Sequence, residues 1–189
     1  MTTLKFLTLP EMFIRQSPHC DARPEGEAVS LLVIHNISLP AGQFASVPEQ
    51  SHVDALFMGT LDTNADASFA CLQGLRVSAH CVIWRDGRIF NYVPFSHRAW
   101  HAGVSQFAGR ERCNDFSIGI ELEGTDNLPY TEQQYQSLVA LTYFIVQQHP
   151  AITPERIVGH CDIAPGRKTD PGIAFDWMRY RSAVREFFL

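Results

Sequence analysis

The chain contains no stretch approaching the ~18 consecutive apolar residues that a membrane-spanning helix needs. It has no stripe of lysine and arginine, and its net charge is -5, so it lacks the electrostatic footprint of a nucleic-acid binder. It has no CxxC pair, and its five cysteines (Cys20, Cys71, Cys81, Cys113 and Cys161) are odd in number. No secretory leader is legible: the opening MTTLKFLTLPEMFIRQ breaks a short apolar run with Pro10 and Glu11 and offers no small-residue cleavage site. These absences point to a cytoplasmic protein with reduced thiols, most of them expected as small buried hydrophobes. HExxH is missing, and GRKT at 166–169 does not complete a phosphate-binding GxxxxGK[ST] loop. There is no internal repeat and no low-complexity tract. With 46% apolar and 19% charged residues, composition excludes a disordered chain.

What is present fits one domain over residues 1–189, long enough to bury its own core. Residues 1–28 are mixed and polar, with Pro18 and Pro24, and read as an N-terminal arm laid over the domain. SLLVIHNI (Ser30 to Ile37) is a continuous apolar run, as expected of a strand buried on both faces. SHVDALFMGT and ASFACLQGL read as short helices. SAHCVIWRDGRIFNYVP reads as two strands about an Asp86-Gly87 turn. SHRAWHAGVSQFAGRERCND, from Ser96 to Asp115, shows no sustained period and reads as a long loop of the kind that carries function. FSIGIELEG and RIVGH are further strands. Thr131 with Gln134 is a capping box opening a helix, and FDWMRYRSAVREFF is a closing amphipathic helix. The alternation predicts an α/β fold: one domain with a central mixed β-sheet flanked by helices on both faces.

Polar residues sit where three of these strands end or run: His35 after LLVI, Glu121 inside SIGIELEG and His160 after RIVG. Asp170 follows ten positions after His160, on a loop punctuated by proline and glycine. Two imidazoles and a carboxylate make a ligand set for Zn²⁺, with a fourth position left for water. Zinc lowers the pKa of such a water to about 7. Glu121 can take that proton and hand it to a leaving nitrogen, and Lys168 can set positive charge where an oxyanion develops. Each residue alone has a plainer reading: a rim histidine, half of a buried ion pair, a solvated lysine, a turn-starting aspartate. Spacing by itself does not choose.

Six blocks in order, LLVIHNISLP, VSAHCVIWRDGRI, RAWHAGVS, CNDFSIGIELEGTD, ERIVGHCDIAP and RKTDPGIAFDW, resemble the zinc amidases that cut between a muramyl lactyl group and L-alanine. Within that family the likeness is to the cytoplasmic branch acting on 1,6-anhydro-muropeptides in peptidoglycan recycling, and it runs from about Pro18 onward. The resemblance implies His35, His160 and Asp170 as zinc ligands, Glu121 as acid/base and Lys168 as oxyanion stabiliser. Related phage amidases carry cysteine as the third ligand, where this chain has Asp170. It also implies substrate contacts from Asn36, Arg76, Trp100 and Arg112: guanidinium groups for peptide carboxylates, an indole for the sugar face. A monomer, a muropeptide substrate and a link to β-lactamase induction follow from the same likeness. His52, His80, His97, His101 and His149 receive no ligand role; His80 is expected buried and His101 near the cleft. Two alternatives stay open: an amidase of this fold acting on intact peptidoglycan outside the cytoplasm, and a module that binds muropeptides without cleaving them.

Overall fold

The apolar run before His35 lies in the interior of a sheet, and that placement organises everything around it. In the computed structural model, which describes residues 10–188, the chain forms ten strands and four α-helices among the described residues. The strands are β1 (Met12–Ile14), β2 (Cys20–Ala22), β3 (Leu31–Ile37), β4 (Cys81–Ile83), β5 (Ile89–Asn91), β6 (His97–Ala99), β7 (Gln106–Phe107), β8 (Arg110–Glu111), β9 (Ser117–Glu123) and β10 (Ile157–Gly159). The helices are α1 (His52–Phe57), α2 (Glu132–Gln148), α3 (His160–Ile163) and α4 (Trp177–Val184). The main sheet runs β1-β5-β4-β9-β3-β10. Only the β4–β5 hairpin is antiparallel; β1 on β5, β4 on β9, β9 on β3 and β3 on β10 are parallel.

Side-chain alternation along β3 and β9 divides two cores. Leu32, Ile34, Ile118, Ile120 and Leu122 pack on one face against Leu138, Leu141 and Ile145 of α2 and Tyr180 and Val184 of α4. Leu31 and Val33 pack on the other with Phe116, Val158 and Ile163, while Val82 and Phe90 meet Val53 and Phe57 of α1. Burying one such side chain is worth roughly 1.5–3 kcal/mol. A strand covered on both sides has no need of polar alternation, hence the unbroken LLVI. The capping box forms as its sequence predicts: Thr131 Oγ1 accepts from Gln134 N–H, and Gln134 Oε1 accepts from Thr131 N–H, both at 3.1 Å.

Four expectations change. Ala67–Leu72 is a 3₁₀ helix rather than an α-helix, with Phe69 as its single buried residue. Ser96–Asp115 holds three strands of two or three residues, too short for any period to show; β6 pairs with β2 and β7 with β8. In the segment read as an arm, β1 extends the sheet edge and β2 clips onto β6. Its first nine residues lie outside the described residues. Finally, all five cysteines are free, but only Cys81 and Cys113 are buried. Cys71 is exposed on the 3₁₀ turn, and Cys161 is half-buried on the first turn of α3. Among the described residues no helix is long and apolar enough to cross a membrane.

Candidate active site

The parallel registers carry the polar strand residues to one end of the sheet. His35 pairs with Glu121, and Gly159 pairs with Ile34, so His160, the next residue, comes level with His35. On β9 the face that carries Glu121 also carries Ser117 and Gly119, opposite the face packed by α2. His35 and His160 are almost completely buried. Their Nδ1 atoms are 3.0 Å apart.

Asp170 reaches this pair from a loop pinned at several points. Its carbonyl accepts from Cys161 N–H at 3.0 Å, and Thr169 Oγ1 donates to Asp126 Oδ2 at 2.5 Å. Gly172 turns the chain at φ +78°, where a Cβ would lie 2.1 Å from Asp126 Cα, so no other residue fits the bend. Asp170 Oδ2 thereby stands 3.1 Å from His35 Nδ1 and 3.0 Å from His160 Nδ1. The ligand atoms of these three residues all lie within 4.8 Å of one another, forming a group able to hold a metal ion.

The donor chemistry fits a cation. His160 Nε2 faces the carbonyl of Ala102 at 3.1 Å. A carbonyl only accepts, so the ring proton belongs on Nε2 and Nδ1 presents a lone pair. That lone pair confronts a carboxylate oxygen, and one positive ion among the three atoms would satisfy them all. Ligand atoms about 2.0–2.1 Å from a tetrahedral zinc stand about 3.3 Å apart, close to the spacing observed. Burial lowers the pKa of His35 to about 4, keeping the ring neutral as a ligand must be. Burial pushes the Asp170 carboxyl up, but the His160 and His35 imidazoles pull it down further, leaving it well below the usual carboxylate range.

Glu121 sits beside this group. Its Oε1 is 4.0 Å from His35 Nδ1, and its buried Oε2 has no hydrogen-bond partner among the described residues. Burial first, and then the charge of Asp170, raise its pKa well above the ordinary value. Such a carboxyl holds a proton more readily than an ordinary one, as a group that accepts and returns a proton must.

The remaining predicted residues occupy three places. Asn36 and Lys168 line an open groove of about 550 Å³ together with Asp170. Arg112 lines a neighbouring groove of about 570 Å³ with Val104 and Ile163; Arg167 borders both grooves. Arg76 lies elsewhere, in a small cavity of about 170 Å³ beside His19. Trp100 stacks on that same His19, with ring centroids 6.1 Å apart, and its indole N–H donates to Asp21 at 3.1 Å. Three further residues bear on the site, two of them, Asp126 and Arg167, without having been singled out for it by sequence. Asp126 accepts from Asn36 Nδ2 at 2.8 Å and so ties β3 to the Asp170 loop. Arg167 donates to the carbonyls of Ala102 and Val104 at 2.6 and 2.7 Å. His101, expected near the cleft, is buried against His35 itself, 2.9 Å from Nδ1 to Nε2. TD following the glutamate strand and RK before TDP were the only hints of the first two.

A mixed sheet presenting a His/His/Asp group with a partnerless carboxyl beside it defines an α/β domain built around a group able to hold a metal ion. A model of the N-acetylmuramoyl-L-alanine amidase family matches residues 25–173, and the chain belongs to that family. It is 61% identical over 168 residues to the 1,6-anhydro-N-acetylmuramyl-L-alanine amidase AmpD of Citrobacter freundii, covering 89% of this chain and 87% of that one. A crystal structure of a selenomethionine AmpD derivative superposes with a TM-score of 0.87 at 58% identity, covering 97% of this chain and 99% of that one. The Escherichia coli amidase AmiD, solved with the substrate anhydro-N-acetylmuramic acid-L-Ala-D-γ-Glu-L-Lys, aligns at a TM-score of 0.60 and 29% identity, over 85% of this chain and 60% of that one.

Proposed function

We propose that this chain hydrolyses the amide between the lactyl group of 1,6-anhydro-N-acetylmuramic acid and L-alanine in muropeptides, using Zn²⁺ held by His35, His160 and Asp170. The observation that carries the reading is the convergence of those three ligand atoms beside the partnerless Oε2 of Glu121. When bound, zinc supplies Lewis acidity toward water and toward the substrate carbonyl. Glu121 Oε2 takes a proton from the attacking water and gives it to the departing alanine nitrogen, so that water and amide become acid and amine. Lys168, exposed on the groove wall next to Asp170, sets its ammonium beside the carbonyl oxygen as negative charge gathers there. Asn36 is held by Asp126 and lines the groove. Arg112, on the neighbouring groove, takes a carboxylate of the stem peptide, whereas Arg76 and Trp100, gathered about His19, are given no contact with it.

The same reading has a monomer working in the cytoplasm on imported wall fragments, and through them bearing on β-lactamase induction. The five free thiols accord with a reducing compartment. The 1,6-anhydro ring fixes the pyranose shape, and a rigid ligand loses less entropy on binding. Anhydro-muropeptides are therefore preferred over reducing ones by roughly 10–200-fold in kcat/KM. The test is incubation with anhydro-N-acetylmuramyl tripeptide and with the reducing equivalent, products read by mass spectrometry. Cleavage between lactyl carbonyl and alanine, faster on the anhydro sugar, supports the proposal. Equal rates on both, with release of peptide from intact peptidoglycan, would replace it with an amidase of the wall itself. Binding without cleavage would make it a recognition module.

A further inference from the structure

Outside the three ligands, the most connected polar feature of the site is the dipeptide His101–Ala102. It lies in the long segment between β6 and β7, and it meets both ligand histidines at the ring nitrogens opposite those that face Asp170. His101 Nδ1 is 2.9 Å from His35 Nε2, and the carbonyl of Ala102 is 3.1 Å from His160 Nε2. The His101 ring continues to Ser117 Oγ, 3.0 Å from its Nε2. One side chain holds the dipeptide in place: Asn114 Oδ1 accepts from His101 N–H at 3.1 Å and from Ala102 N–H at 2.8 Å. His101 is buried, and its ring lies directly over Gly119, where a Cβ would come within 2.4 Å of it.

We infer that His101–Ala102 is a positioning unit that fixes the tautomer of both ligand histidines, and that Asn114 is the residue that sets it. The inference rests on the zinc reading above. For His160 the carbonyl of Ala102, at 3.1 Å, favours the proton on Nε2 over the more distant donor Arg167 Nη2 at 3.4 Å, which leaves Nδ1 free for metal. For His35 the partner is itself an imidazole, so the direction of the chain matters. If His35 Nε2–H donates to His101 Nδ1, then His101 Nε2–H donates to Ser117 Oγ, and His35 Nδ1 is a ligand. If the chain runs the other way, from the Ser117 hydroxyl through His101, His35 Nδ1 carries a proton and cannot bind metal. Both directions satisfy the same three groups. Metal uptake selects the first, and the acceptor on His101 is what makes that state available to a buried ring. Groups that orient metal-bound histidines typically contribute 10–100-fold to metal affinity.

The experiment measures zinc affinity by competition with a fluorescent chelator, together with the visible spectrum of the Co²⁺ form, for the wild type, His101→Leu, His101→Asn and Asn114→Ala. Melting of each metal-free protein reports on folding. His101→Leu is expected to weaken zinc by about 10–100-fold and to alter the Co²⁺ bands. His101→Asn, whose Oδ1 falls where Nδ1 was, recovers most of the loss. Asn114→Ala, which touches neither metal nor ligand, weakens zinc in the same direction. Should His101→Leu fail to fold, the other two variants decide: unchanged affinity and spectrum in Asn114→Ala overturns the inference. Wild-type affinity in a folded His101→Leu overturns it equally. A wild-type chain that takes up no zinc would sink the reading beneath it; zinc bound tightly but indifferently to all three variants sinks this inference alone.

Discussion

His35 and Glu121 are register partners across the parallel pair β3–β9, and the imidazole Nδ1 lies 4.0 Å from the carboxyl Oε1. The sheet sets that gap. It places the glutamate next to the His/His/Asp group and outside it, close enough to serve a reacting water and absent from the set of converging ligand atoms.

This separation predicts two kinds of variant. Glu121→Gln keeps the buried shape, binds zinc like the wild type, and loses turnover by about 10²–10⁴-fold, the range of a positioned acid/base. Asp170→Ala and His160→Ala lose zinc and activity together. Metal analysis beside steady-state rates checks this; zinc loss in Glu121→Gln equal to that in Asp170→Ala would remove the distinction.

Lys168 is exposed on the groove, yet its charge bears on both His35 and Glu121. Removing one oxyanion donor costs about 10²–10³ in kcat. Lys168→Ala is expected to fall in that range with KM and zinc content little changed. A variant with wild-type kcat would return the lysine to the solvated surface.

Gly119 has a steric reason. With a Cβ 2.4 Å from the His101 ring, something in a packed interior must shift, and the imidazole is buried rather than free to swing away. Overpacking of this kind typically costs about 1–3 kcal/mol. The metal-free Gly119→Ala protein should melt lower, by about 2–4 °C per kcal/mol for a chain of this size. An unchanged melting temperature would mean that the close approach is not maintained in solution.

Much of this was legible in the sequence, for physical reasons that differ by element. LLVI before His35 is an unbroken apolar run because both faces of β3 are covered. The hairpin follows from Asp86-Gly87, and the α2 start from the side chains of Thr131 and Gln134, all local chemistry. The strands between Ser96 and Asp115 are two or three residues long, so no periodicity could announce them. Which further histidine joins His160 against His35 depends on how that segment folds back, and neither the contact of His101 nor the clamp of Asn114 is written in local pattern. Asp126 likewise matters only because Asn36 and Thr169, far apart in the chain, come together on it.

Acid should open a different contact. Asp21 accepts from Arg98 Nε at 2.8 Å and Nη2 at 2.6 Å, and from the Trp100 indole at 3.1 Å. The Arg98 bonds, opposed by burial and helped by the indole, hold the Asp21 carboxyl below its ordinary range. A depressed carboxyl contributes stability that is full above its unfolded pKa of about 3.9 and is lost as pH falls through the folded value. The contact is partly exposed, so the contribution is modest. In urea denaturation, the gap between wild type and Asp21→Asn should be open near neutral pH and close below about pH 4. A gap independent of pH would show that the charge of Asp21 contributes nothing.

The central claim is that hydrolysis depends on zinc at His35, His160 and Asp170, and metal removal tests it most directly. The purified chain is dialysed against a chelator, assayed on anhydro-N-acetylmuramyl tripeptide, and then titrated with Zn²⁺. The account predicts loss of cleavage with the fold intact by circular dichroism, and recovery that saturates at one equivalent of zinc. Full cleavage by protein shown to be free of metal would contradict it.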